Sequence, residues 1–250
     1  MKGWTAIYRR ELAGLFLSPL AWILLCAGTL VNGIFFLLVL GSNGGEVNSA
    51  FVYLLGSGVL PFWLLVVVLP PLLTMRMISE ESRSGMLEFL LTSPVSDVGV
   101  VVGKALSATT FLALLWLTTV GFGLLVQALG APPDWGQLAT QWLGATLISG
   151  LFCALGLVFS ALSSTPLVAA FLGILANFLV ILAPQYVSSV RWLDYAPLRG
   201  LARRVDVLQH FQGSFLTGAL DSAHLVFFLA WTSAALFLAV RVVESRRWLG

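Results

Sequence analysis

Charge is what this sequence has least of. Only 10% of its 250 residues are Asp, Glu, Lys or Arg, against about 25% in soluble domains. The chain cannot cover its own surface in water, and 59% of it is hydrophobic with a mean hydropathy of +0.98. The bilayer is then its natural solvent, which only helices and closed barrels can cross. The alternating ten-residue segments of a barrel are missing, and long unbroken apolar runs stand in their place. Cysteine is scarce too. Cys26 and Cys153 both fall within apolar runs and read as small buried hydrophobes. With no CxxC and no Cys/His cluster, a metal site has no basis. A net charge of +2 gives no reason to expect a nucleic acid partner. No repeat of 20–50 residues is visible, and the halves show no convincing inverted match.

What is present is a set of six apolar segments near the roughly 20 residues a span needs: 21–40, 51–75, 98–127, 139–162, 167–183 and 223–243. The chain therefore reads as a single all-α membrane domain with six transmembrane helices. The first run is about twenty residues long, longer than the roughly 7–15-residue core of a secretory signal, and reads as a retained span. The second holds Pro61, Pro70 and Pro71, which predict a kink or an early end. Lys and Arg set the orientation. With a cytoplasmic N-terminus, nine of the thirteen basic residues lie inside, and the short outer loops 41–50 and 128–138 carry none. Both termini are expected in the cytoplasm.

Three stretches do not span. In 1–19, Trp4, Tyr8, Leu12 and Leu15 recur at helical spacing with Lys2, Arg9, Arg10 and Glu11 elsewhere, which predicts a helix in the inner interface. Pro19 turns it into the first span. The cytosolic stretch 76–97 begins with Arg76/Glu80 and Glu80/Arg83 pairs at helical spacing. Beyond Gly85, an apolar stripe of Met86, Leu87, Leu90 and Leu91 runs to Pro94. That stripe needs a cover, either the inner leaflet or a partner with a hydrophobic groove. In 184–222, Leu198, Ala202, Val205 and Leu208 share a helical face. This predicts a helix on the outer surface, followed by a turn into the last span and a partly re-entrant path over 214–220.

Several catalytic patterns fail on inspection. Gly99 to Ala105 resembles a phosphate loop, but it has three residues between its glycines and Ala105 after Lys104, where four residues and a hydroxyl are needed. Lys104 reads instead as a lysine snorkelling at the inner end of the third span. An intramembrane serine protease would need Gly where Leu147 precedes Ser149, and a deep His where His224 lies near the outer surface. No carboxylate pair lies within the spans. Asn32 and Asn177, with scattered Ser and Thr, are the polar residues there, the two amides as path-lining or interhelical hydrogen-bonding groups. The chain is not expected to be an enzyme, and if it moves anything the energy must come from another subunit.

The cytosolic stretch Met77-Ile-Ser-Glu80-Glu81-Ser-Arg83-Ser-Gly85-Met-Leu87-Glu88-Phe-Leu90-Leu91-Thr-Ser-Pro94 resembles the signature of permease subunits of type-2 ATP-binding-cassette exporters. Met86 stands where Thr is common in it. Tyr8-Arg9-Arg10-Glu11-Leu12, with Ser18-Pro19 after it, resembles that family's N-terminal interface helix. Leu208 to Phe211, Gly218, Asp221 and Val243 to Trp248 resemble the gliding-motility-associated branch. The resemblance implies that Glu80 to Leu91 form a coupling helix docked on an ATPase subunit, and that Tyr8 to Leu15 form the connecting helix. It implies two ATPase copies carrying ATP and Mg, with no cofactor on this chain. It further implies a second permease subunit, the same or homologous, in a bacterial inner membrane, with an extracytoplasmic accessory protein as a further candidate partner. The competing expectation is a mechanical transmitter that acts on such a protein without moving substrate; a scaffold or protease needing no ATPase is the third.

If the stripe docks, Leu87→Asp or Leu90→Asp buries an unpaired charge and costs on the order of 2–4 kcal/mol of docking. Co-purification of the ATPase and substrate-stimulated hydrolysis should both fall; normal values would contradict docking through this stripe.

Overall fold

The computed structural model describes residues 3–58, 61–84, 96–189, 200, 202 and 204–246. Among these no strand occurs. The helices are α1 (Gly3–Leu17), α2 (Pro19–Ser42), α3 (Val47–Val52), α4 (Phe62–Arg83), α5 (Asp97–Ala128), α6 (Trp135–Leu162), α7 (Pro166–Ser189), α8 (Val207–Ser214) and α9 (Ser222–Arg246). Six of them, α2, α4, α5, α6, α7 and α9, are long and apolar enough to cross a membrane. Helix starts follow local chemistry. Pro19 opens α2 behind Ser18, where a missing N–H costs nothing. Ser96, Asp134 and Asp206 cap α5, α6 and α8 by accepting from Gly99, Gln137 and Gln209 N–H.

The centre of the bundle is the α4–α6 pair, each mostly buried, with α5, α7 and α9 packed around α6. Small residues let them approach. A Cβ on Gly156 of α6 would sit 3.4 Å from the Pro71 backbone, and one on Gly173 of α7 would sit 3.0 Å from the Pro71 ring. The proline bend of α4 thus nests in two glycine notches. Pro71 cannot donate to the Val67 carbonyl four residues back. Asn177 of α7 supplies the missing donor, Nδ2 to Val67 O at 3.2 Å. Lower down, the Ser160 hydroxyl of α6 accepts from Ile78 and Ser79 N–H and donates to Met75 O.

Several sequence expectations need correcting. The expected second span over 51–75 is two pieces: α3 runs into a π-turn at Tyr53–Ser57, the chain breaks at Gly56 (φ +130°), and α4 begins at Phe62. Pro70 and Pro71 lie inside α4 without ending it, and the Val67 carbonyl that Pro71 leaves without a donor is met by Asn177. α4 then continues to Arg83, so Glu80, Glu81 and Arg83 form its last turn rather than the start of a separate helix. Gly85, Leu87, Glu88, Leu90, Leu91 and Pro94 lie outside the described residues. α7 runs past Ala183 through Pro184. The single outer helix expected through Ala202, Val205 and Leu208 is interrupted at Asp206, whose extended backbone caps a new helix; Leu198 lies outside the described residues. Cys26 is exposed on the outer face of α2, and only Cys153 is buried. Asn32 is fully buried, yet neither amide atom has a hydrogen-bond partner. The buried residues of α2 are Ala21, Gly28, Asn32 and Phe36, and among the described residues none hydrogen-bonds the Asn32 amide.

The short segment α8 and the 3₁₀ turn Phe215–Thr217 close one end of the bundle. Phe211 and Phe215 are fully buried; Phe211 stacks on Phe62 at 5.0 Å, and Phe215 meets Phe228 edge-on at 5.8 Å. Gly144 makes the room: a Cβ there would lie 2.6 Å from Phe215 Cγ. Gly144→Ala should therefore destabilise the protein by about 1–3 kcal/mol through overpacking and loosen residues 211–217. Thermal unfolding in detergent checks the first effect and hydrogen exchange the second.

Candidate functional site

Lys104 lies two turns inside α5, among Val100, Val101, Ala105 and Ala108, and has no exposed surface. A buried ammonium needs partners of opposite charge. It finds two, Glu11 Oε1 of α1 at 3.0 Å and Glu81 Oε1 of α4 at 2.8 Å. Arg10 of α1 closes the figure, its Nη2 at 2.6 Å from Glu11 Oε1 and 2.9 Å from Glu81 Oε1. Two cations and two carboxylates thus alternate around a ring with no net charge. The ring ties three elements together: the N-terminal helix, the end of α4 and the start of α5.

Packing holds α1 at that height. Gly103 lets it come close, since a Cβ there would stand 3.0 Å from the Trp4 carbonyl and 3.1 Å from the Ile7 side chain. Ile7 is buried, and Tyr8 donates its hydroxyl hydrogen to Thr110 Oγ1 at 3.2 Å. Leu12 is half-buried and Arg9 is exposed. The hydrogen bond to Glu11 outweighs burial and raises the Arg10 guanidinium. Burial pushes the Glu11 carboxyl up, but Lys104 and Arg10 together pull it further down, below its ordinary value. The docking of α1 through Glu11 is therefore complete above the ordinary carboxylate range and is lost as pH falls through the lowered value.

Snorkelling does not describe Lys104: α1 covers its route to water, and the two carboxylates meet it in place. The sequence held a usable signal. A lysine flanked by valines and alanines well inside a span calls for acidic partners, and Glu11 and Glu81 are among the carboxylates at that end of the spans. Ser149 is likewise no nucleophile in waiting. Its hydroxyl accepts from Trp116 Nε1 at 2.9 Å and donates to Ala145 O.

At the opposite end, Gly56 O accepts from Trp63 Nε1 at 2.9 Å and Gln212 Nε2 at 2.7 Å, so the break above α4 is held by α8. Next to it, His210 Nδ1 and His224 Nδ1 stand 2.7 Å apart. His210 Nε2 faces the Arg204 carbonyl, which can only accept, so His210 Nδ1 accepts and His224 Nδ1 donates. His210 also stacks on Phe227 at 3.9 Å.

A profile of ABC-2 family transporter proteins matches residues 7–244. The chain belongs to that family. It is a multi-pass membrane permease subunit of an ATP-binding-cassette exporter, in a family whose members work with an ATPase on a separate subunit. No curated protein matches the chain. Within this ABC-2 permease, the charged ring takes Glu81 from inside the signature stretch 77–94 and Lys104 from beyond its end.

Two outcomes follow. Lys104→Met leaves Glu11 and Glu81 with Arg10 alone, and the loss of a partner from a buried ion network should cost on the order of 3–5 kcal/mol; thermal unfolding measures it, and proteolysis should cut α1 first. At the other end, burial and then the His224 charge hold His210 below its ordinary 6.5, against the opposing pull of the Arg204 carbonyl and Asp206. The α8–α9 contact is thus intact above about 6.5 and weakens as pH falls through the lowered value. Protection factors for 207–217 should drop over that interval, and drop less in His224→Gln.

Proposed function

We propose that the ring is a rigid coupling joint. The segment between α4 and α5 docks in a groove of the ATPase, and the push of nucleotide-driven closure enters α4 and α5 together, with α1 as a brace. In this reading Glu80 to Leu91 supply the docking surface, and Tyr8, Arg9, Glu11 and Leu12 belong to the connecting helix. Both termini and residues 76–97 face the cytoplasm. Two ATPase copies work with two permease subunits in a bacterial plasma membrane, and ATP and Mg stay on the ATPase. The observation that carries the reading is the pair of bonds from Lys104 to Glu11 and Glu81. They make the last turn of α4, the first turns of α5 and α1 into one body, so a force on the segment between them cannot be spent in separating its ends. The nine-to-four distribution of basic residues supports the orientation. The resemblance of 208–221 and 243–248 supports the gliding-motility-associated branch.

A second reading, force delivered to an outer partner without transport, draws on one further observation. α8 holds the top of the α4 segment through Gln212 to Gly56 O and through the Phe62–Phe211 stack, so movement of α4 reaches the outer surface. Proteoliposomes containing the chain and its ATPase separate the two. ATP-dependent accumulation of an amphiphilic substrate supports export. ATP-dependent change in cysteine accessibility at position 212 without accumulation supports transmission. No ATPase binding at all would overturn both.

A further inference from the structure

α7 and α9 both pack on α6, and between them opens a crevice of about 280 Å³, near the small end of the ~300–1,000 Å³ usual for ligand sites. Its floor is Leu151 and Leu155 of the central helix α6. Leu179 of α7 and Trp231 of α9 form its sides, and both are exposed, on helices long and apolar enough to span. Val205 and Val207 roof it at the α8 end. Asp206, between them, ties that roof to α7 by accepting from Gln185 Nε2 at 2.8 Å. Every described side chain lining the crevice is apolar. Water there would find no partner, and an empty slit forfeits the contacts of its lining.

We infer that the crevice seats one acyl chain of a bilayer phospholipid whose phosphate is held by Arg204. Hydrocarbon is the medium that reaches the open side between Leu179 and Trp231, so a chain enters sideways beneath the roof. Arg204 supplies the charge. It directly precedes Val205 of the roof, it is exposed, and among the described residues it forms no ion pair. Its carbonyl faces His210 Nε2 at 3.2 Å, which anchors the backbone and leaves the guanidinium free. A guanidinium presents a planar fork of donors that fits phosphate oxygens. Asp206 does not compete for it: that carboxylate is buried, and its oxygens accept from Gln185 Nε2 and the Gln209 N–H. Free phosphate would meet Arg204 alone and gain nothing from the crevice. In the proposed orientation this is the outer leaflet; the inference depends neither on that orientation nor on ATPase docking.

The test is native mass spectrometry of the full chain released from bilayers of equal phosphatidylglycerol and diglucosyl diacylglycerol with the same acyl chains. The phospholipid should be retained roughly tenfold or more over the uncharged glycolipid, the worth of a hydrogen bond to a charged group. Arg204→Gln, at an exposed position, should abolish that preference. Ala183 lines the crevice and is exposed. Ala183→Phe therefore fills the slit from its open side and should remove the retained lipid while thermal unfolding in detergent stays unchanged. Leu182→Phe, exposed on α7 but outside the lining, should keep it. No retained lipid, equal retention of the two lipids, an undiminished preference in Arg204→Gln, undiminished retention in Ala183→Phe, or displacement by soluble glycerol phosphate as effective as by phospholipid would each overturn the assignment.

Discussion

An ammonium group sealed from water is the constraint on which the architecture at the α1 end of the bundle rests. Lys104 cannot be buried without its carboxylates, and those carboxylates come from helices far apart in sequence. Each accepts from both cations through a single oxygen, so the four charges form one unit rather than separate pairs. Such a network gains little net stability from its formation, because desolvation offsets attraction. What it contributes is geometry: α1, α4 and α5 have one relative placement in which no charge is stranded. Every other device at this end serves that placement, from the bare backbone at Gly103 to the Tyr8–Thr110 hydrogen bond.

The opposite end is organised by shape instead of charge. A left-handed Gly56 bends the chain where no side chain could follow, and its carbonyl is taken by Trp63 and Gln212. Phe211 and Phe215 fill the space beside it, admitted by Gly144. Ionic fastening at one end and aromatic fastening at the other leave the middle to glycine–proline contacts among α4, α6 and α7.

The six crossings were legible because hydrocarbon demands long apolar helices, and composition alone reports that demand. The boundaries were less so. Nothing in 51–75 distinguishes a helix bent by Pro70 and Pro71 from one broken at Gly56, since the outcome depends on whether another helix offers a donor, and Asn177 lies more than a hundred residues away. Of the residues singled out beforehand, Glu11 and Glu81 meet in the ring, Tyr8 and Leu12 pack beside it, and Arg9 stays outside. Arg10 and Lys104 were missed as partners because a lysine near a helix end ordinarily reaches for water, and only the path of α1 closes that route. Of the two amides named as path-lining or interhelical, Asn177 bonds across helices to Val67 O, while Asn32 is buried with no hydrogen-bond partner among the described residues.

The repaired backbone of α4 carries a consequence for biogenesis. Ribosomes deliver α4 to the membrane before α6 and α7 exist, so at that moment the Val67 carbonyl has no donor and Ser160 is not there to meet Ile78 and Ser79. The central helix is thus incomplete when it is inserted, and the Val67 carbonyl gains its donor only after translation has passed residue 177. The nascent N-terminal half must wait, with polar backbone facing lipid or a chaperoning insertase, for the C-terminal half to finish it.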